Sequence, residues 1–163
     1  MGASRSQAPS GYTVDHNRVK LGHGLNVFER GKAAIRQWKM FDMPWATLCW
    51  PDAAIEAGVT VAAVFSHFGF WSMNAARIVY VIDEREGVQR FGFAYGTLRD
   101  HAEIGEERFS VEFDPADQNV YYDIYAFSRP GFWARLGYPI ARGLQKQFVR
   151  ESKAAMVRAV QGK

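Results

Sequence analysis

The densest run of ionisable side chains is Arg99-Asp-His-Ala-Glu-Ile-Gly-Glu-Glu107. Within it His101 and Glu103 stand two residues apart. An imidazole titrates near neutral pH, and a neighbouring carboxylate can orient it, so the two form a candidate acid/base pair. Tyr95, just upstream, supplies a phenol to the same region. Together His101, Glu103 and Tyr95 would suit proton transfer without a cofactor, as in a cyclase, isomerase or lyase. The same run also reads as a polar hairpin loop in which Glu106 and Glu107 begin a strand. As metal ligands, His101 and Glu103 are only two where zinc takes three or four, and the single cysteine, Cys49, lies far off in the chain. Gly22-x-Gly24 alone is no dinucleotide fingerprint, and neither a P-loop nor a Gly-x-Ser-x-Gly elbow occurs. No metal and no cofactor are expected.

A second set of polar groups sits among apolar neighbours. Side chains alternate between the faces of a strand. In Val88–Leu98 the odd positions Phe91, Phe93, Tyr95 and Thr97 are bulky, and the positions between them are small. With Arg77 and Asp83 facing water, Ile78, Tyr80 and Ile82 turn inward; with Asp123 outward, Tyr122, Ile124, Ala126 and Ser128 do so. Tyr80, Tyr95 and Tyr122 would then bring three phenols to one interior. Each needs a hydrogen-bond partner, from the protein, water or a ligand. Ser128-Arg129-Pro130 follows the last strand. Arg129 reads as a latch, held by an acid such as Glu106 or Glu84 or gripping a ligand carboxylate.

The elements that would position these groups follow from pattern. After a weak first strand in Tyr12–Leu21, Asn26 with Glu29 three residues on has the form of a capping box, opening a helix that ends before Pro44. Six strands follow: Trp45–Trp50, containing a buried Cys49; Val59–Phe68; Arg77–Asp83; Val88–Leu98; Glu106–Phe113; and Val120–Phe127. Their connections are short, which requires antiparallel neighbours. Pro139 opens a long amphipathic helix on which Ile140, Leu144, Phe148, Ala155 and Met156 form an apolar stripe that must pack on the sheet. Leu144 and Phe148 are expected buried.

Size and charge fit this picture. A chain of 163 residues makes one domain with a core that needs no staple. Residues 1–11 read as a disordered leader and 12–163 as a single domain. No run reaches the ~20 apolar residues of a membrane span, and the lone cysteine permits a reducing compartment, so a cytoplasmic protein without integral membrane contact is expected. From Phe132 to Lys163 seven basic residues face one acid, yet no nucleic-acid-binding motif accompanies them. They read as the solvated face of the last helix, with no nucleic-acid partner. The sequence sets no oligomeric state.

Several segments carry a resemblance. Arg77-Ile-Val-Tyr-Val-Ile-Asp-Glu84, Gly92-Phe-Ala-Tyr-Gly-Thr-Leu98, His101-Ala-Glu103, Gly105-Glu-Glu-Arg-Phe109 and Ala126-Phe-Ser-Arg-Pro130 stand in the order seen in domain-of-unknown-function family 1990, also called uncharacterised protein family 0548. Leu21-Gly22-x-Gly24, and Ala141-Arg142 followed by Gln145, are similar to it too. Asp100 and Ala102 depart from the family's expected glycine and proline. The resemblance implies an α+β helix-grip fold like that of START domains and the birch-pollen-allergen group: a curved six- or seven-stranded antiparallel sheet, a short N-terminal helix, and a long C-terminal helix across the concave face. Such folds are typically cavity proteins. The implied partner is an apolar small molecule of lipid-like or polyketide-like character. Its expected lining is Tyr80, Phe93, Tyr95, Thr97, Tyr122, Ile124, Ser128, Arg129, Leu144 and Phe148.

Overall fold

The computed structural model describes residues 10–67, 69–98, 103–130 and 138–162, and of residues 103, 104, 129, 130 and 138–141 only the backbone. The expected leader falls mostly outside these residues, as do His101 and the loop around it. Strands β1 (Thr13–His23), β2 (Ala46–Leu48), β3 (Thr60–His67), β4 (Phe70–Glu84), β5 (Gln89–Thr97), β6 (Glu103–Phe113) and β7 (Asn119–Pro130) are accompanied by helices α1 (Leu25–Arg36) and α2 (Tyr138–Gln161). All neighbours are antiparallel, in the order β1-β7-β6-β5-β4-β3-β2. The sheet curls, and α2 lies in its grip.

Local corrections have physical causes. Helix α1 is capped not by Asn26 but by Gly24, at φ 90°, with no side-chain cap bond. The Gly24 N–H donates to the Gln118 carbonyl (2.8 Å), a sharp re-entry from β1 that suits glycine. Glu29 is left to pair with Lys32 at 2.9 Å instead of closing a capping box. Strand β2 stops at Leu48, so Cys49 lies beyond it and is exposed rather than buried.

Most of the expected parity holds. Phe93, Phe109, Val111, Tyr122 and Ile124 form the buried concave face, onto which Phe148 and Met156 of α2 pack. Asp123 does face the convex side, yet it is buried there, 2.6 Å from His16 Nε2 and 3.3 Å from Arg108.

Tyr80 is the exception that matters. Ile78 pairs with Tyr95 and Tyr80 with Ala94, which leaves Val79 as a one-residue bulge. A bulge of this kind reverses the parity of everything after it. Ile78 therefore faces inward while Tyr80 shares the convex face with Ala94. Arg77 and Asp83, both exposed, belong to opposite faces, and reading them as one face misplaced Tyr80.

Candidate ligand pocket

A pocket of about 790 Å³ lies between α2 and the concave face. Its two ends differ chemically. Trp45, Leu48, Val61 and Phe65 from β2, β3 and the segment before them form an apolar wall, with Trp38 and Phe41 beside it. Aromatic contacts order this wall: Trp45–Phe65 at 5.4 Å, Phe65–Phe148 at 6.2 Å and Phe41–Phe148 at 5.4 Å between ring centroids. Trp38 is held in a left-handed conformation (φ 55°), its indole N–H donating to the Ala53 carbonyl at 2.9 Å. That bond and its packing on Phe93, 4.9 Å between rings, fix a backbone state bulky residues rarely adopt.

The other end is polar. Tyr95 and Glu107 are direct cross-strand partners on β5 and β6, which brings their side chains onto one face. The Tyr95 hydroxyl donates to Glu107 Oε2 at 2.8 Å. Burial, and then the Glu107 carboxylate, push the phenol's pKa well above its ordinary 10.0, so it remains a neutral donor. Asp15 of β1 meets Arg142 of α2 through two bonds, 2.5 and 3.0 Å, and Arg142 also donates to Gln145 at 2.8 Å. These bonds hold the Asp15 carboxyl below its ordinary 3.8, against partial burial.

A folded-state pKa held low stabilises above the unfolded value, and that stability is lost as pH falls through the folded value. Asp15→Asn is therefore expected to cost about 1 kcal/mol at pH 7, a half-buried bidentate pair being stronger than most surface ones. The cost should fade as pH is taken well below 3.8. Thermal melts of both proteins across that range measure it.

The pocket collects some of the residues expected from sequence. Tyr95, Thr97, Ser128, Leu144 and Phe148 line it. Leu144 is only half-buried, because it faces this space rather than packed side chains. Thr97 is partly committed to the sheet, accepting from the Gly105 N–H at 3.0 Å. Phe93, Tyr122 and Ile124 point to the same side but lie in the core behind the pocket. There the Tyr122 hydroxyl meets Ser152 of α2 at 2.9 Å, so two of the three phenols are satisfied within the protein by side chains. Tyr80 is on the far face. His101 lies outside the described residues, as do the side chains of Glu103 and Arg129. Among the described residues, no three His, Cys, Asp or Glu side chains converge as metal ligands would.

The aromatic wall of Trp38, Phe41, Trp45 and Phe65 lies outside the lining expected from sequence, as do the polar residues Glu107, Asp15, Asn17 and Arg142. Glu107 has the parity of Phe109, and that signal was present; Arg142 was assigned to the solvated helix face. His67, also lining the pocket, stacks on Phe65 with 11° between ring planes, and burial lowers its pKa.

A family model described as a domain of unknown function, DUF1990, matches residues 1–155. A UPF0548 protein of Dictyostelium discoideum is 39% identical over 160 residues, covering 93% of this chain and 74% of that one. A UPF0548 protein of Arabidopsis thaliana is 37% identical over 154 residues, covering 92% and 74%. Among solved structures, Ara h 8.0201 aligns with a TM-score of 0.60 at 11% identity, covering 94% of this chain and all of that one. A START superfamily protein from Mycobacterium smegmatis gives 0.58 at 11%, covering 93% and 99%. A norcoclaurine synthase of Thalictrum, bound to a transition-state analogue, gives 0.52 at 8%, covering 93% and 98%. At such identities these structures establish the helix-grip fold and nothing finer.

Proposed function

The chain belongs to the DUF1990 family, and we propose that it binds an apolar small molecule in the pocket beneath α2. The observation that carries this reading is the pocket itself. About 790 Å³ falls within the range of small-molecule sites, and an aromatic wall opposite a few fixed polar groups is how such sites gain affinity and orientation. The helix-grip fold supports it, since its START-like members are cavity proteins.

Tyr95 and Glu107 define the polar end for a lipid-like or polyketide-like ligand. The phenol's proton is directed to the carboxylate, so its oxygen offers lone pairs to a hydroxyl or similar donor on the ligand. Tyr95→Phe removes one hydroxyl and almost no volume. For a ligand anchored there it is expected to weaken binding about two- to tenfold, the value of one neutral hydrogen bond. Titration with the environment-sensitive dye N-phenyl-1-naphthylamine, followed by displacement with hydroxylated and O-methylated naphthalenes, tests both parts. Dye binding that is displaced better by the hydroxylated competitor, with the preference lost in Tyr95→Phe, is the expected result. Absence of dye binding argues against the pocket as a site.

A second reading has one observation in its favour. The same Tyr95–Glu107 pair puts a phenol and a carboxylate at 2.8 Å on the pocket wall, an arrangement suited to proton transfer on a bound ligand. It replaces Glu103 with Glu107 as the partner of Tyr95 in a cofactor-free cyclase, isomerase or lyase. The norcoclaurine synthase among the fold's relatives is a precedent for catalysis on this scaffold. Turnover that is lost in Glu107→Gln while ligand affinity is retained would favour this reading over binding alone.

A further inference from the structure

The hairpin formed by β3 and β4 projects beyond the rest of the sheet. β2 pairs with β3 from Ala63 to Phe65, with one further bond from the Ser66 N–H to the Trp45 carbonyl (2.9 Å), and β5 pairs with β4 from Ala76 onward, with one further bond from the Leu98 N–H to the Ala75 carbonyl (3.3 Å). Beyond those limits, among the described residues, the ribbon is two strands wide. Its end carries Phe70, Trp71 and Met73, which are 77%, 76% and 68% exposed. Strand alternation puts Phe70 on the pocket side with its partner His67, and Trp71 and Met73 on the opposite face, so the end of the ribbon is apolar on both faces.

We propose that this hairpin tip inserts shallowly into an anionic lipid bilayer, with the basic face of α2 resting on the headgroups. Two observations choose this occupant. The first is charge. His67 pairs with Phe70 in the ribbon, its ring lies 5.2 Å from Trp45, and the Trp45 indole donates to Glu151 of α2 at 2.6 Å. Arg150, next to Glu151, is 76% exposed, and Lys146 is exposed one turn earlier. Lys146, Arg150, Lys153, His67 and Ser72 all border the same pocket, so the ribbon and the basic helix face flank one opening. Glu151, the acid beside them on α2, is engaged by Trp45, Gln147 and, at 3.6 Å, Arg150; of the acids that border the pocket, Asp15 is bound by Arg142 and Glu107 by Tyr95. Exposed Trp and Phe beside Lys and Arg is the combination that holds proteins at membrane interfaces.

The second observation is size. Large side chains bury roughly 150–250 Å² each, so the tip offers about 500 Å². A stable interface between copies takes about 800 Å² per partner. That is too little for a firm dimer and enough for interfacial partitioning reinforced by charge. The inference does not depend on the pocket's being a ligand site, although it would turn the pocket's opening toward the lipid.

Flotation of the full chain with phosphatidylcholine vesicles, with and without phosphatidylserine, tests it. Wild type is expected to float with the phosphatidylserine vesicles and to be released by salt. Phe70→Ser/Trp71→Ser should lower partitioning tenfold or more. Lys146→Ser/Arg150→Ser should lower it roughly twenty-five-fold on the anionic vesicles alone, at about fivefold per basic residue. All four positions are solvent-facing, and unchanged melting curves would establish that the variants fold. Failure of wild type to float, or equal flotation of the Phe70→Ser/Trp71→Ser protein, overturns the proposal. So does lipid-free self-association abolished by that double change, since the tip would then be a contact between copies.

Discussion

Gly92→Ala is expected to leave the protein poorly folded, with stability reduced by about 3 kcal/mol or more. Gly92 lies within β5, paired with Ser110 of β6. An alanine Cβ there would sit 2.1 Å from the Phe109 carbonyl oxygen and 2.7 Å from Ser110 Cα. Both are backbone atoms between central strands, so relief requires β5 and β6 to separate. Phe93 and Phe109, which carry much of the core, would move with them. Overpacking against mobile side chains costs about 1–3 kcal/mol, and a rigid backbone obstacle lies at or beyond the upper end. For a chain of this size the midpoint of thermal unfolding should fall by ~10 °C. Gly143→Ala is the matched contrast. It is an exposed position of α2 with nothing within 4 Å of the added carbon, and alanine is the better helix former by ~1 kcal/mol. There the midpoint should rise by ~2–4 °C.

Ala126→Trp should abolish ligand binding, by a hundredfold or more, while leaving the fold intact. Ala126 lines the pocket on β7, half-buried, with Asp15 and Glu107 as its cross-strand neighbours. An indole added there enters empty space rather than packed side chains, so it competes with the ligand and not with the core. The dye titration measures the loss, and the thermal midpoint of the same sample shows that folding is unaffected. Retained affinity would place the bound molecule elsewhere.

What the sequence made legible was whatever follows from local period. Strands with short connections required an antiparallel meander, and the apolar stripe from Leu144 to Met156 required a helix against it. Tyr95, Thr97 and Ser128 were found by alternation alone, because β5 and β7 run unbroken through the residues that matter. Tyr80 was lost to a single unpaired residue. Val79 has no local signature that marks it as a bulge, since the choice is made by pairing across to β5. Glu107 was hidden for a different reason: a carboxylate at a core-parity position reads as a strand end until Tyr95 is seen to cover it. Arg142 resembles any charge on a helix flank, and only the tertiary approach of Asp15, 127 residues earlier, makes it part of the site.

Native mass spectrometry of freshly purified wild type beside Ala126→Trp tests the central claim most directly. The pocket account predicts that wild type carries an added mass of a few hundred daltons, the size of a molecule filling ~300–1,000 Å³, and that the variant runs at the bare chain mass. An unliganded wild type that also fails to take up N-phenyl-1-naphthylamine, or an adduct retained unchanged by Ala126→Trp, would contradict it.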